Sequence, residues 1–414
     1  MKPRERWYSF AVLAGMAAVL LFVCGCSTPG PAPEQEIVIG ALLPLTGDYT
    51  SAGVASQAAL QVAVEDLNAY YQRVGSPKNV RLVILDTKSD PLTAETGLEN
   101  LTGQGIRVVI GPGSSAELEA LKGYSDQKGI LLVSTMSTAT SLAIAGDSVF
   151  RFIPDDTHQA GATAYYLDAD GIEAIIPVWR GDVWGDGLLS AVSERLQREN
   201  HTILDGMRYE PGTQEFHNIA ASLDRQAGEA ISRYGANHVG VYAITFAELV
   251  PLMNVSSGKP NLSLIKWYGA DGNVLIDPLT KDPIAADFAI KTHFVGPTIG
   301  YSPDERFSGV YKNISTKLGR QPDAYSYATY DAFQVAAAAL GDAGQGNAQL
   351  REAFIHAANR YSGIAGLYAL DEAGDKEMSV YDFWRFALVN GTPRWKYAGQ
   401  YTVVSRDSPS GFKE

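Results

Sequence analysis

The chain has 414 residues, 46% of them hydrophobic and 19% charged, and carries a formal net charge of −13. That is the composition of a globular chain long enough for two domains with separate cores. The acidity argues against nucleic acid or an anionic membrane surface as the main partner, though not against a small anion held by local geometry.

The first segment stands apart. Lys2, Arg4 and Arg6 precede an apolar run from Trp7 to Val23, followed by Val23-Cys24-Gly25-Cys26. A basic start, an apolar stretch and small residues at its end make an export signal over 1–25. The other reading is a membrane-spanning anchor, for which the run is marginally long. The ending resembles the lipobox of prokaryotic lipoproteins, with Cys26 as the lipidated residue. Cys24 and Cys26 are the only cysteines, so the rest of the chain has no disulfide and no thiolate metal site. Residues 26–36 read as a tether.

Strand and helix signals then alternate. Ile37–Leu43 is a buried-strand run, and "AALQVAVEDLNAYY" has apolar residues at helical spacing. "VRLVILD" ends a second strand at Asp86, and Asp90-Pro91 opens a helix. "IRVVIG" is a third strand, "AELEALKGYSDQ" a helix and "ILLVSTM" a fourth strand. A second series follows "VFRFIPDD": a helix over 157–168, then "EAIIPVW", "GDGLLSAVSERLQREN", "HTILDGMRY", a long helix, "HVGVYAI", "ELVPLMNV", "SLIKWYG" and "KTHFVGPT". This spacing predicts βαβ units and two α/β lobes with parallel sheets. The remaining helices and the β-like pieces "VYDFWRFALV" and "WKYAGQYTVV" are too short for a third lobe and complete the first two. The Ala-rich "VAAAAL" reads as a helix packed closely on a sheet. Six Asn-x-Ser/Thr sequons carry little weight on their own.

Several chemistries lack their signatures. The six histidines are scattered, with no H-E-x-x-H, and no metal site is expected. There is no G-x-x-x-x-G-K-[ST] and no G-x-S-x-G. Gly111-Pro-Gly113-Ser-Ser-Ala116 does match G-x-G-x-x-A. It follows the third strand rather than the first, however, and the next strand ends in Ser134-Thr-Met-Ser-Thr138 with no acid for a ribose hydroxyl. No nucleotide cofactor is expected.

The turn offers a helix N-terminus instead, with free amides and the hydroxyls of Ser114 and Ser115. One serine could serve only as an N-cap. The neighbouring strand also ends in hydroxyls, including Ser137 and Thr138, at the same edge of the sheet. Ligands of open α/β folds bind at that edge.

At this point the sequence resembles the extracytoplasmic solute-binding proteins of branched-chain amino acid ABC transporters, the leucine/isoleucine/valine-binding type. The resemblance runs from "IVIGALLPLTGDYTSAGVASQAALQVAVEDLN" through "VVIGPGSSAE", "GILLVSTMSTATSL", "VFRFIPDDTHQA", "VWRGDVWGDGL" and "WYGADG" to "YATYDAFQVAAAAL". It implies two doubly wound parallel-sheet lobes joined by a three-segment hinge, the type I periplasmic-binding-protein-like arrangement. The lobes would be 37–153 plus 300–375 and 154–299 plus 376–405, hinged near 152–155, 297–301 and 363–375.

By the same resemblance Ser115 and Thr138 bind the ligand carboxylate. The Met136 carbonyl accepts from the ammonium, and Asp271 pairs with it. Trp184 stands where a tyrosine packs over the ligand, and Thr245 or Phe246 lies near a second aromatic position. From the residues alone Asp271 could be a turn former and Trp184 core packing. Ala52 stands where an aromatic often lines the pocket, and Thr135 replaces a proline. These departures leave the zwitterion clamp intact and alter the side-chain pocket.

The expected function is capture of an apolar amino acid outside the membrane and delivery to an ABC permease by hinge closure. The expected location is the outer face of the cytoplasmic membrane, with a lipid anchor. The alternatives are a sensory receptor and a binder of an amide or urea. An NAD-dependent enzyme is disfavoured, and no cofactor is expected.

Overall fold

A computed structural model describes residues 35–301, 304–343, 346–377, 379–405 and 408–413. The export signal, Cys26 and most of the expected tether lie outside the described residues.

The chain enters at β1 (Gln35–Leu43), two residues before the expected strand start, and continues through α1 (Thr50–Arg73), β2 (Lys78–Asp86), α2 (Pro91–Gly103), β3 (Val108–Ile110), α3 (Ser115–Lys128), β4 (Leu131–Ser134) and β5 (Val149–Arg151). The strands form one parallel sheet in the order β2-β1-β3-β4-β5. Alternation along the strands sorts their side chains onto two faces. Ile37, Ile39, Ala41, Leu43, Val108, Ile110, Leu131 and Val133 join one core, while Leu42, Val109 and Leu132 join another with Leu98, Leu101, Leu118 and Leu121. Asp90 caps α2, accepting from the Thr93 amide at 2.7 Å, with Pro91 at the first helical position. Asp86 accepts the amides of Leu45 and Lys88 and shapes the turn after β1.

The second series is α4 (Asp156–Ala169), β6 (Ala174–Arg180), α5 (Val183–Arg198), β7 (Thr202–Ile203), β8 (Met207–Tyr209), α6 (His217–Tyr234), β9 (Val239–Ile244), α7 (Leu249–Ser256), β10 (Lys266–Gly269), α8 (Asp277–Lys281), α9 (Pro283–Lys291) and β11 (Val295–Ile299). The chain then returns to the first sheet with α10 (Ser308–Leu318), α11 (Ala324–Asp342) and α12 (Asn347–Ala358). The small side chains of α11, among them Ala332, Ala336 and Ala339, are buried and let it pack closely. It packs on α1 and on β1 and β3, and its alanines share one core with the strand residues Ile39, Ala41 and Ile110.

A two-residue pair, β12 (Ser362–Gly363) with β13 (Gly366–Leu367), leads to β14 (Ser379–Val389), β15 (Thr392–Ser405) and β16 (Ser408–Lys413). These last three add to the second sheet by antiparallel pairing, giving β16-β15-β14-β11-β10-β9-β6-β7, with β8 also on β6.

The chain therefore passes between the sheets three times. The first passage follows β5 and the second follows β11. Asp375 still bridges Arg151 of β5, so the third lies after it rather than within 363–375.

Candidate functional site

Two turns at the carboxyl edge of the first sheet build one wall. Gly111, with φ of +106°, sits where a Cβ would come within 2.1 Å of the Leu42 carbonyl oxygen, so glycine is required there. Ser114 caps α3. Its hydroxyl accepts from the Glu117 amide at 3.2 Å, and the Glu117 carboxylate accepts from the Ser114 amide at 2.7 Å. That uses two of the first-turn amides and leaves those of Ser115 and Ala116, which have no intrahelical acceptor. The Ser115 hydroxyl meets that of Ser137 at 2.8 Å and accepts from the Ala139 amide at 3.2 Å. The Ser134 hydroxyl donates to the Pro112 carbonyl at 3.0 Å, tying the two turns together.

The opposite wall comes from the second lobe. Asp271 begins the turn after β10 and is buried. Its amide donates to Gln159 of α4 at 2.9 Å, and one carboxylate oxygen accepts from the Tyr325 hydroxyl at 2.5 Å. The other oxygen, Oδ1, is buried with no hydrogen-bond partner among the described residues. Burial raises the pKa of Asp271 above the usual carboxylate range, against the pull of the hydrogen bond from Tyr325.

Aromatic rings close the side. Phe246 stacks between Tyr49 and Trp184, with ring centroids 4.3 and 4.8 Å away. The Arg180 guanidinium lies 4.4 Å over the Phe246 ring and pairs with Asp182 at 2.5 Å and with Glu248. Glu248 in turn accepts from the Phe246 amide at 2.9 Å. Burial pushes the Glu248 pKa up to about 7 even beside Arg180.

Six expected residues thus line one cavity: Ser114, Ser115, Met136, Trp184, Phe246 and Asp271. Tyr49 and Gly113 complete the lining. Four others stand back from it. Ala52 is buried in α1, and Tyr49, three residues earlier, supplies the aromatic surface instead. The Thr245 hydroxyl accepts from Asn273 at 3.0 Å and donates to the Phe246 carbonyl. Ser137 supports Ser115. Thr138 lies one layer deeper, its carbonyl accepting from the Asp156 amide at 2.8 Å.

The volume open to water-molecule centres is about 10 Å³, enough for about one water. Further contacts cross between the lobes around it. The Ala247 amide donates to the Asp48 carbonyl at 3.2 Å, and Arg320 pairs with Asp277 at 3.0 Å. The lobes are shut, so a solute needs them apart to enter.

Tyr49, Asp156, Gln159 and Tyr325 were not among the expected site residues. "IPDD" reads as a lobe connection leading into a helix, and Tyr325 reaches Asp271 across 54 positions of sequence. Among the described residues no group of acids, histidines and cysteines could hold a metal ion, and no helix is long and apolar enough to cross a membrane.

Known proteins resemble this chain in sequence or in structure. An uncharacterized protein of Methanocaldococcus jannaschii is 28% identical over 80% of each chain. The Leu/Ile/Val-binding protein of Escherichia coli K12 is 24% identical, over 86% of this chain and 92% of that one. The branched-chain amino acid transporter substrate-binding protein LivJ of Streptococcus pneumoniae, solved with isoleucine, superposes with a TM-score of 0.69 at 17% identity, covering 88% of this chain and 99% of its own. A solute-binding protein of Rhodopseudomonas palustris, solved with 3,4-dihydroxybenzoic acid, gives 0.71 at 14% identity, over 90% and 99%. The family profile described as periplasmic binding protein matches residues 36–379, and the chain belongs to that family.

Proposed function

We propose that this protein captures an amino acid outside the membrane and delivers it to an ABC permease. The observation that carries this reading is the unpartnered, buried Asp271 Oδ1 on one lobe, sharing a cavity with the Ser115 turn on the other. An α-amino acid is a zwitterion and needs an anion site and a cation site a few ångströms apart. The Ser115 turn takes the carboxylate through hydroxyl and first-turn amides, with Thr138 behind it and the Met136 carbonyl available to the ammonium. Asp271 takes the ammonium. Trp184, Phe246 and Tyr49 pack over the side chain. The Leu/Ile/Val-binding relative and the isoleucine-bound neighbour support an apolar amino acid.

A few charged hydrogen bonds and one apolar contact supply the ~8 kcal/mol of micromolar binding after ordering costs. Hinge opening admits the solute, and the permease reads the closed form through its differential affinity for the two states. The family and fold are those of solute binders, and no catalytic role is assigned.

A second reading has its own support. The stacked rings beside an anion site suit an aromatic carboxylate, the class bound by the R. palustris neighbour. A thermal-shift screen separates the two. At a hundredfold excess over Kd a true ligand stabilises by about 2.7 kcal/mol. An apolar amino acid is expected to raise the melting temperature, and hydroxybenzoates are not. A shift with hydroxybenzoates alone contradicts the amino-acid reading.

Lipidation at Cys26 is part of the proposal. Cys26→Ser is expected to move the protein from the membrane fraction to the soluble one on fractionation. Continued anchoring would mean that residues 7–23 are retained as a membrane segment.

A further inference from the structure

Asp271 is not the only buried acid in this region. Asp156, at the start of α4, is fully buried. Its Oδ1 accepts from the Gln159 side-chain amide at 3.0 Å, and the Gln159 carbonyl accepts from the Asp271 amide at 2.9 Å, so one glutamine links the two acids. Asp156 Oδ2, like Asp271 Oδ1, is buried with no hydrogen-bond partner among the described residues. The Thr138 hydroxyl is close by but makes no hydrogen bond of ordinary geometry to it. The hydroxyls of Tyr242 and Tyr381, on β9 and β14, are buried in the same region and have no partner among the described residues.

The surrounding charges do not neutralise the two acids. Asp155 precedes Asp156 and faces His158 at 3.6 Å. Arg151 of β5 is turned to Asp375 and to the carbonyls of Ser137 and Ala139. Asp323 lies ahead of α11, where Tyr49 feels its charge. Tyr49 and Tyr325 are phenols whose pKa values burial raises further. Two carboxylates shut away from water with one free oxygen each cannot both stay charged without a cation. Burial first, and then the Asp271 charge, hold the Asp156 pKa well above the usual range.

We propose that Asp156 and Asp271 together form the cation subsite of the cleft, and that the ammonium of the bound solute takes the place of a proton that the shut, solute-free cleft holds between them. The proton goes to solvent as the ammonium enters, so charge is conserved in the cleft. The site then selects a primary ammonium over a solute that offers only a carboxylate. This rests on the amino-acid reading above and adds the second acid and the exchanged proton.

The sign follows from competition. Protonation of the pair blocks the ammonium, so affinity rises with pH, approaching tenfold per unit on the acid limb. Leucine keeps its zwitterion across this range and contributes no slope of its own.

Calorimetry with L-leucine from pH 5 to 8, in pairs of buffers differing in ionisation enthalpy, measures both slope and protons. The expected result is a rising affinity with release of up to one proton per leucine bound on the acid limb. The analogue 4-methylpentanoate, which lacks the ammonium, is expected to show neither. Asp156→Asn is expected to flatten the slope and weaken binding, with folding checked by its melting curve; the wild-type titration stands without it. Leucine binding of constant affinity with no proton release overturns the proposal and leaves amino-acid capture standing. Binding of 4-methylpentanoate without leucine, or of neither, overturns the amino-acid reading and the proposal with it.

Discussion

Asp271→Ala is expected to weaken amino-acid binding by about 2 kcal/mol or more, roughly 30-fold. The ammonium of a bound solute would sit in a shut cleft from which water is excluded. Removing its carboxylate partner there leaves a desolvated charge, and truncating one member of a buried pair costs more than the pair itself contributes. The substitution also strips the Tyr325 hydroxyl of its acceptor and with it one contact between the lobes. Asp271→Asn keeps the shape and loses the charge, so it separates the two effects. Titration calorimetry measures both variants, and wild-type affinity in Asp271→Ala would remove this residue from the site.

Arg151→Met is expected to destabilise the protein by about 3–5 kcal/mol. The Arg151 side chain is fully buried, and its guanidinium makes a two-pronged pair with Asp375, with Nε to Oδ1 at 2.6 Å and Nη2 to Oδ2. It also donates to the Ala139 carbonyl at 2.7 Å, beside Thr138. One side chain thus ties the segment before the third lobe crossing to the hydroxyl turn of the site. Burial holds the Asp375 pKa up at about 6 even with the arginine beside it. Without the arginine that value rises further above its unfolded one. A group that binds its proton more tightly when folded makes stability fall as pH rises. The deficit of Arg151→Met should therefore be larger at pH 8 than at pH 5 in denaturant titrations. Replacing both partners, Arg151→Met with Asp375→Leu, should recover much of the loss, because no unpaired charge remains.

Most of the architecture is legible in the residues. Apolar runs bounded by turn residues mark β1 to β5, and the hydroxyls after β3 and β4 point to the sheet edge where the candidate cavity lies. The turn at Gly111–Ala116 is read correctly as strand, turn and helix, because an apolar run meets glycines and serines just before a helical pattern. What stayed hidden depends on direction and long-range contact. Tyr49 precedes α1 and Ala52 lies in its first turn, yet only Tyr49 lines the cavity. Thr245 and Phe246 are neighbours with opposite fates, one absorbed into a turn and one stacked between aromatic rings. Asp156 looks like an acid at a helix start until Gln159 ties it to Asp271. The antiparallel β14 to β16 addition and the late third crossing follow from pairings between strands far apart in sequence, which local pattern does not encode.

A crystal structure with a bound amino acid tests the clamp most directly. The account predicts the solute carboxylate against Ser115 and the α3 amides, its ammonium within hydrogen-bond reach of Asp271, and its side chain against Trp184 and Phe246. A solute bound the other way round would contradict it. So would one lodged in the larger cavity of about 450 Å³ between Arg320 and the tryptophans 384 and 395.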